Sequence, residues 1–499
     1  MITFNNIPDT QRTPGVYAEV DNSQALTGLV ANNHKALLIG EKTSAGTAEN
    51  ATLYSITRAD VADGFFGPGS LLARMCNVFK TNNPNTELKA IALSGGTAQA
   101  SARINFSIAL SHAGNSCSAG GQFMYLMING QKVYRTLTSG WSAIDIASDA
   151  ATYISEQNNF PVTVSTVAAS GVLVMSALTS GAWGNYLNVR FNYFDGESDP
   201  TFWGDSAVIS SFEGGAGNGD LDDAWAIVTN EQFQYICQPY IDATNLTSLE
   251  TELADRFKPL IDLQGHGFTG LRATQASATT LGNTRNSPHN TILAANNSPN
   301  DPAEWGAALT AVAGGNLNQD PARPLHYLQL KDILSPPTDD LFTKAERQLL
   351  LYDGIATYIT DASDNVLIER CITTYQTNAA GVPDPSYLDV QTLSTIEEIR
   401  FQFKTRMTTR FIVPRFKLAD DTYQVEAGTY VATPKTVRSE ILVLFSELQD
   451  AGLIENLDEF EANLKVERDS ADKNRVNVLL PPDLINQFRL LAGKIQFIL

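Results

Sequence analysis

The residues of this 499-residue chain that could do chemistry are five histidines, four cysteines, a glycine-dense run and several adjacent carboxylates. His34, His112, His266, His289 and His326 show neither His-x-x-x-His nor His-Glu-x-x-His spacing, so no helix face presents two imidazoles to one metal ion. Cys76, Cys117, Cys237 and Cys371 lie at least 40 residues apart, which excludes a Cys-x-x-Cys metal or redox pair and points to buried, reduced thiols. Gly214, Gly215, Gly217 and Gly219 fit neither Gly-x-Gly-x-x-Gly nor a run closed by Gly-Lys-Ser/Thr, so a hinge is expected there and not a phosphate cradle. There is no Gly-x-Ser-x-Gly elbow to support a Ser/His/Asp site. Asp339 with Asp340, Asp420 with Asp421, and Asp458 with Glu459 flank helices or turns, where capping and solvation explain them. The expectation is a protein with no catalytic, cofactor or metal site.

What remains is a pattern of charge. The formal net charge of −20 opposes nucleic-acid binding, which needs clustered cations. Residues 400–499 hold 14 basic and 14 acidic side chains, so the whole excess lies on the residues before them. Within that final part, Arg400, Lys404, Arg406, Arg410, Arg415 and Lys417 form a window of six cations without an acid. No apolar run approaches the roughly 18 residues of a membrane helix, and Met1–Asp9 lacks a basic segment followed by an apolar one. Synthesis and assembly in the cytoplasm, with no membrane partner, are the expectation.

The elements that must carry these residues divide the chain. A length of 499 predicts two to four domains, and the fold class reads as α+β or mixed α/β and multi-domain: a core of sheet plus helices, built from N- and C-terminal parts of the chain, with a β-rich insertion and extended arms. Residues 1–30 form a polar arm with a strand-like stretch at Val16, Tyr17 and Val20. Residues 31–91 open the core with the apolar run Lys35–Gly40 and a helical spacing over Ser70–Lys80. Residues 92–212 are the insertion, with an Asn129-Gly130 hairpin signal inside Phe123–Leu137, a helix over Ser142–Gln157, and strands at Pro161–Val167 and Gly171–Leu178.

Residues 213–340 resume the core. They carry short elements at Leu221–Thr229 and Phe233–Cys237, helices at Leu246–Phe257 and Pro302–Val312, a Gly-, Asn- and Pro-rich stretch before Pro302, and a loop-like connector at Pro321–Pro337. Residues 341–491 make a C-terminal domain. Thr343-Lys-Ala-Glu346 is a capping box that starts a helix, and Ile355–Thr360 with Val366–Ile372 forms a hairpin whose edges could accept further strands. Leu393, Ile396, Phe403 and Met407 share a helix face through the basic window up to Pro414, and Val437, Ile441, Leu444, Phe445 and Leu448 share one between Thr433-Pro434 and Gly452. A last helix is expected over Asp483–Leu491. Residues 492–499 end in the alternating Lys494–Leu499, with Ile495, Phe497 and Leu499 on one side, a strand with nothing nearby to cover it.

A series of motifs in order resembles the contractile-tail sheath proteins, in particular the Mu-like phage branch. They are Pro14-Gly15-Val16-Tyr17, the run Leu281–His289 (LGNTRNSPH), Asp320–Leu325 (DPARPL), Phe342–Arg347 (FTKAER), Leu351–Tyr358 (LYDGIATY), Thr373–Asn378 (TTYQTN) and Pro383–Val390 (PDPSYLDV). Lys417–Asp421, Thr433–Thr436, Glu455–Asp458 and Leu480–Leu484 follow. The resemblance covers nearly the whole chain. It implies a structural, non-enzymatic subunit of a virion tail, forming hexameric rings stacked around an inner tail tube and contracting to drive the tube into a target. It also implies baseplate and tail terminator proteins as partners, and terminal arms that add strands to neighbours. On that resemblance Val16, Tyr17, Val20, Ile495, Phe497 and Leu499 are candidate inter-subunit contacts, and the six-cation window is a candidate tube-facing patch. A second class, a tail-associated binding or hydrolytic protein on a similar framework, is distinguished by its solution behaviour.

Overall fold

Lys35–Glu41 is a strand, β1, buried from its second residue onward, as a run this apolar requires when both faces of a sheet are covered. The computed structural model describes residues 13, 28–106, 117, 121–167, 170–201, 207–424 and 429–498. After β1 come β2 (Leu53–Ile56), α1 (Ala59–Phe66), α2 (Leu71–Asn82) and β3 (Glu87–Leu93). Ser70 caps α2 by accepting from the Ala73 amide, and the helical spacing read from the sequence buries Leu71, Leu72, Met75, Val78 and Phe79.

The chain then leaves the core for the insertion: β4 (Ser101–Asn105), β5 (Gln122–Ile128), β6 (Gln131–Leu137), α3 (Ala143–Glu156), β7 (Val162–Thr166), β8 (Val172–Ala177), β9 (Val189–Phe191) and β10 (Val208–Ile209). Two antiparallel sheets result, ordered β10-β4-β8-β7 and β6-β5-β9. Asn129 and Gly130 turn β5 into β6 with φ of 47° and 79°, the left-handed pair that a type I′ hairpin needs.

On its return the chain builds α4 (Leu221–Ile227), β11 (Tyr235–Cys237), α5 (Ala243–Phe257), β12 (His266–Arg272), α6 (Gln275–Gly282), β13 (Asn290–Ala295) and α7 (Pro302–Leu317). The sheet is ordered β13-β12-β11-β1-β3-β2, parallel except for β2. The Gly-, Asn- and Pro-rich stretch before Pro302 therefore holds two strands of this sheet, β12 and the edge strand β13. Its glycines serve packing: a Cβ at Gly270 would collide with the Pro302 carbonyl, so α7 lies directly on the backbone of β12. Next come β14 (Gln329–Leu334), α8 (Lys344–Tyr352), β15 (Thr357–Thr360) and β16 (Asn365–Arg370), in the sheet order β14-β16-β15. β14 lies within the segment expected to be a connector. An isolated parallel bridge, Leu293 to Ala356, joins this small sheet to β13.

α9 (Val390–Met407) carries the chain into a second compact unit, residues 398–485 with the described residues before Asn33; residues 33–397 and 486–499 form the first. The division falls at Glu397, well past residue 340. The second unit continues with a π-turn at Thr408–Ile412, then β17 (Lys417–Leu418), β18 (Val431–Ala432), α10 (Pro434–Asp450), β19 (Ile454–Glu455), α11 (Leu457–Asn463), β20 (Lys465–Arg468), β21 (Val476–Leu479) and β22 (Asp483–Leu484). α10 buries Val437, Ile441, Leu444, Phe445 and Leu448, the face its spacing predicts, and Phe445 stacks on Phe460 of α11 with ring centroids 3.9 Å apart. The helix expected over Asp483–Leu491 does not form. Instead β22 pairs with β19, and the described residues beyond it lack regular structure, with Phe488, Leu490 and Leu491 exposed.

Candidate functional site

His112 lies outside the described residues, and two of the other histidines are held by hydroxyl groups. His34 Nδ1 lies 2.6 Å from the Tyr235 hydroxyl and His266 Nε2 lies 2.8 Å from the Thr291 hydroxyl, both at the amino ends of parallel strands. Burial pushes His34 down to about 4, His266 to about 3 and His289 to about 4, so all three are neutral at pH 7. The four thiols are free and buried. Among the described residues no group of three or more His, Cys, Asp or Glu is placed to hold a metal ion, and no helix is long and apolar enough to cross a membrane.

The Gly214–Gly219 run is not a loose hinge. It returns antiparallel to the outgoing chain through bridges Ala98–Ala216 and Ser101–Glu213, and a Cβ at Gly215 would collide with the Gly181 carbonyl. The insertion is also fixed at its far hairpin. Arg74 of α2 donates to both Asp301 and Glu304 at the start of α7, and Asn129 of the β5–β6 turn donates to the same carboxylates at 3.3 Å and 3.1 Å. Arg272 donates to the carbonyls of Tyr186, Ser298 and Asn300, tying the insertion's backbone to the core a second time. No sequence motif marked this cluster, since its parts come from three distant segments.

The six-cation window separates into unlike parts. Arg406 bonds Glu440 at 3.1 Å and also Glu447, both on α10, and Arg410 reaches Glu440 at 3.3 Å. The side chain of Arg406 is consequently only 14% exposed. Arg415 and Lys417 are exposed beyond the π-turn, near the exposed apolar side chains of Ile412 and Val413. Arg400 and Lys404 have interaction partners and lie along α9. The sequence did contain the missed signal: Glu440 and Glu447 are seven apart, hence on one face of α10, matched to a helix with cations on one side.

Of the candidate arm residues, Val16, Tyr17, Val20 and Leu499 lie outside the described residues. Ile495 and Phe497 are 95% and 76% exposed, on backbone without a strand partner, and Ile498 is 97% exposed. The hairpin expected to accept arms has one edge covered by β14. In the second unit, β20 and β21 pair only with each other among the described residues, leaving both outer edges of that hairpin without a strand. Unpaired edges and an exposed apolar extended segment together are the constituents of strand exchange between chains.

Comparison with known proteins bears on this arrangement. Residues 214–374 match the phage tail sheath protein central domain, and residues 382–498 match the phage tail sheath C-terminal domain. The sequence is 37% identical over 502 residues to the Mu-like prophage FluMu tail sheath protein of Haemophilus influenzae, covering 100% of each chain. Among solved structures, the sheath tail protein of Desulfitobacterium hafniense is similar at 13% identity and a TM-score of 0.48, covering 94% of this chain and 100% of that one. That of Listeria innocua is similar at 11% identity and a TM-score of 0.46, covering 92% and 94%.

Proposed function

The chain belongs to the phage tail sheath protein family, and from that premise we propose that it is the self-polymerising sheath of a contractile tail. Hexameric rings stack around an inner tail tube between baseplate and tail terminator proteins, and the stack shortens to drive the tube through a target envelope. The role is structural, without catalysis, and its place is the tail of the particle after assembly in the host cytoplasm.

The observation that carries this reading is the C-terminal segment. Phe488, Leu490, Leu491, Ile495, Phe497 and Ile498 are between 73% and 97% exposed, a run of apolar side chains that a protein working alone would not keep in water. Added as a strand to a neighbour's sheet, the segment satisfies its backbone and buries those side chains. The β20–β21 hairpin of a neighbouring copy, with two open edges, is the acceptor the geometry favours over β15–β16. The candidate N-terminal contacts Val16, Tyr17 and Val20 would take the second edge. Deleting Lys494–Leu499 and imaging the purified protein by negative stain tests the linkage: the truncated chain should give no striated sheaths, and normal sheaths would remove the arm from the account. For the full chain, monodisperse monomers with hydrolytic activity, in place of rings or tubes, would favour the binding or hydrolytic reading.

The tube-facing surface narrows to the end of α9 and the turn after it. Arg415 and Lys417, with Ile412 and Val413, present cations beside apolar side chains, whereas Arg406 is committed to α10. Reversing Arg415 and Lys417 to Glu should weaken extended assembly on tubes while leaving the monomer folded. The acidic insertion, residues 92–212, would face outward and limit sticking between particles.

A further inference from the structure

The neck joining the insertion to the core is built around one buried carboxyl group. Glu41, the last residue of β1, is fully buried. It stands at the carboxyl end of the strand flanked by β3 on one side and β11 on the other, the position where open parallel sheets take their ligands. In this chain three of its own segments fill that crevice. The Gly96 amide donates to the Ser180 carbonyl at 2.8 Å, Thr97 to Ala216 at 2.7 Å, Gly181 to Ala98 at 2.9 Å and Ala182 to Gly217 at 2.7 Å. Trp183 Nε1 donates to Glu41 Oε2 at 2.8 Å. A Cβ at Gly95 would stand 3.3 Å from Glu41 Oε2, and one at Gly181 3.0 Å from Oε1, so glycine is what lets these backbones close over the carboxyl.

The groups facing Glu41 are the Trp183 indole, the Thr179 hydroxyl, the Gly96 and Gly219 amides, and the Tyr240 phenol with Asp242 beyond it; none is a cation. Glu41 Oε1, the Thr179 hydroxyl and the Tyr240 hydroxyl are all buried without a hydrogen-bond partner. A carboxylate would meet only neutral donors and no cation in this closed site, whereas a carboxylic acid escapes the cost of burying a charge and brings an O–H donor to a place with oxygens left to accept it.

We infer that the neck is a proton-operated latch: with Glu41 as the neutral acid the outgoing, inserted and returning segments close over it and hold the insertion to β1, and release of that proton to solvent favours opening. Burial pushes Glu41 from 4.5 up to about 7, the direction this geometry requires. Because the closed state has the raised value, closure is strongest below about 4.5, weakens as pH rises to about 7, and changes no further above it.

Amide hydrogen exchange on the purified full chain, corrected for the intrinsic pH dependence, tests the latch at Gly96, Thr97, Gly181 and Ala182. Protection there should fall about tenfold per pH unit from 4.5 to 7 and then level off, with α7 amides as the unaffected control. E41Q, which cannot ionise and still accepts from the indole, should give a flat profile. W183F removes the donor that favours the carboxylate, so levelling should move to higher pH; this arm stands even if E41Q fails to fold. A flat wild-type profile, equal slopes in wild type and E41Q, or levelling unmoved in W183F would each overturn the proposal.

Discussion

Arg74 ties α2 to the start of α7, and it was legible only in part. Its place in the apolar run Leu71–Phe79 marks it as core, but the acids it needs lie 227 and 230 residues away. With Arg74 replaced by Met, Asp301 and Glu304 would be left buried without their cation. A loss of about 3–5 kcal/mol is expected in urea denaturation, with R74K falling short of that loss because the charge is kept. The two buried histidines and half-buried His34 give a second prediction at this scale. Their folded values lie below the ordinary 6.5, so the stability tied to neutral imidazole is complete above 6.5 and declines as pH falls toward 4 for His34 and His289 and toward 3 for His266. Substituting His266 by Gln should make the stability–pH slope in that range shallower by about 1.4 kcal/mol per unit. An unchanged slope would show that His266 titrates normally.

At the scale of elements, legibility followed local chemistry. α8 announces itself by the capping box at Thr343–Glu346, α10 by Thr433-Pro434 and its apolar face up to Gly452, and β1 by an apolar run, because each signal lies within one element. β12 and β13 were missed for the opposite reason. His266-Gly-Phe-Thr-Gly-Leu-Arg272 gives up apolar side chains so that helices can approach its backbone: a Cβ at Gly267 would lie 2.8 Å from Leu249 of α5, and Gly270 meets α7. Burial there comes from neighbours and leaves no periodicity to read. The ion pairs of Arg406 and Arg410 were hidden similarly, since their acids are on another helix. Two predictions belong here. Phe460→Ala removes the ring stacked on Phe445 and should cost the second unit about 3–5 kcal/mol by denaturant titration. Arg406→Glu should destabilise that unit through repulsion from Glu440 and Glu447, whereas R415E, at an exposed position, should stay within about 0.5 kcal/mol of wild type.

For the molecule as a whole, the prediction is a separation of stability from assembly. Replacing Ile495 and Ile498 by Asp alters side chains 95% and 97% exposed, so the monomer's melting temperature should not change, while sheath formation should be lost in sedimentation and negative stain. A falling melting temperature would mean that these residues pack within their own chain. The motif order made the family visible, and the alternation of Lys494–Leu499 drew attention to a segment whose Ile495, Phe497 and Ile498 are exposed. The course of the chain between β3 and β11 was not visible in detail, because a sheet whose neighbours are this remote in sequence has no local signature.

That same strand order has a consequence in time. β1 lies between β3 and β11, yet β11 begins only at Tyr235, after the whole insertion. A ribosome adding about 5–20 residues per second emits the intervening nearly two hundred residues over roughly 10–40 seconds. Throughout that interval one edge of β1, a strand buried from its second residue onward in the finished fold, waits for its neighbour. The period of greatest risk for this chain is thus its own synthesis, and codon usage or chaperone supply across residues 92–234 should govern its yield more than any contact in the finished fold.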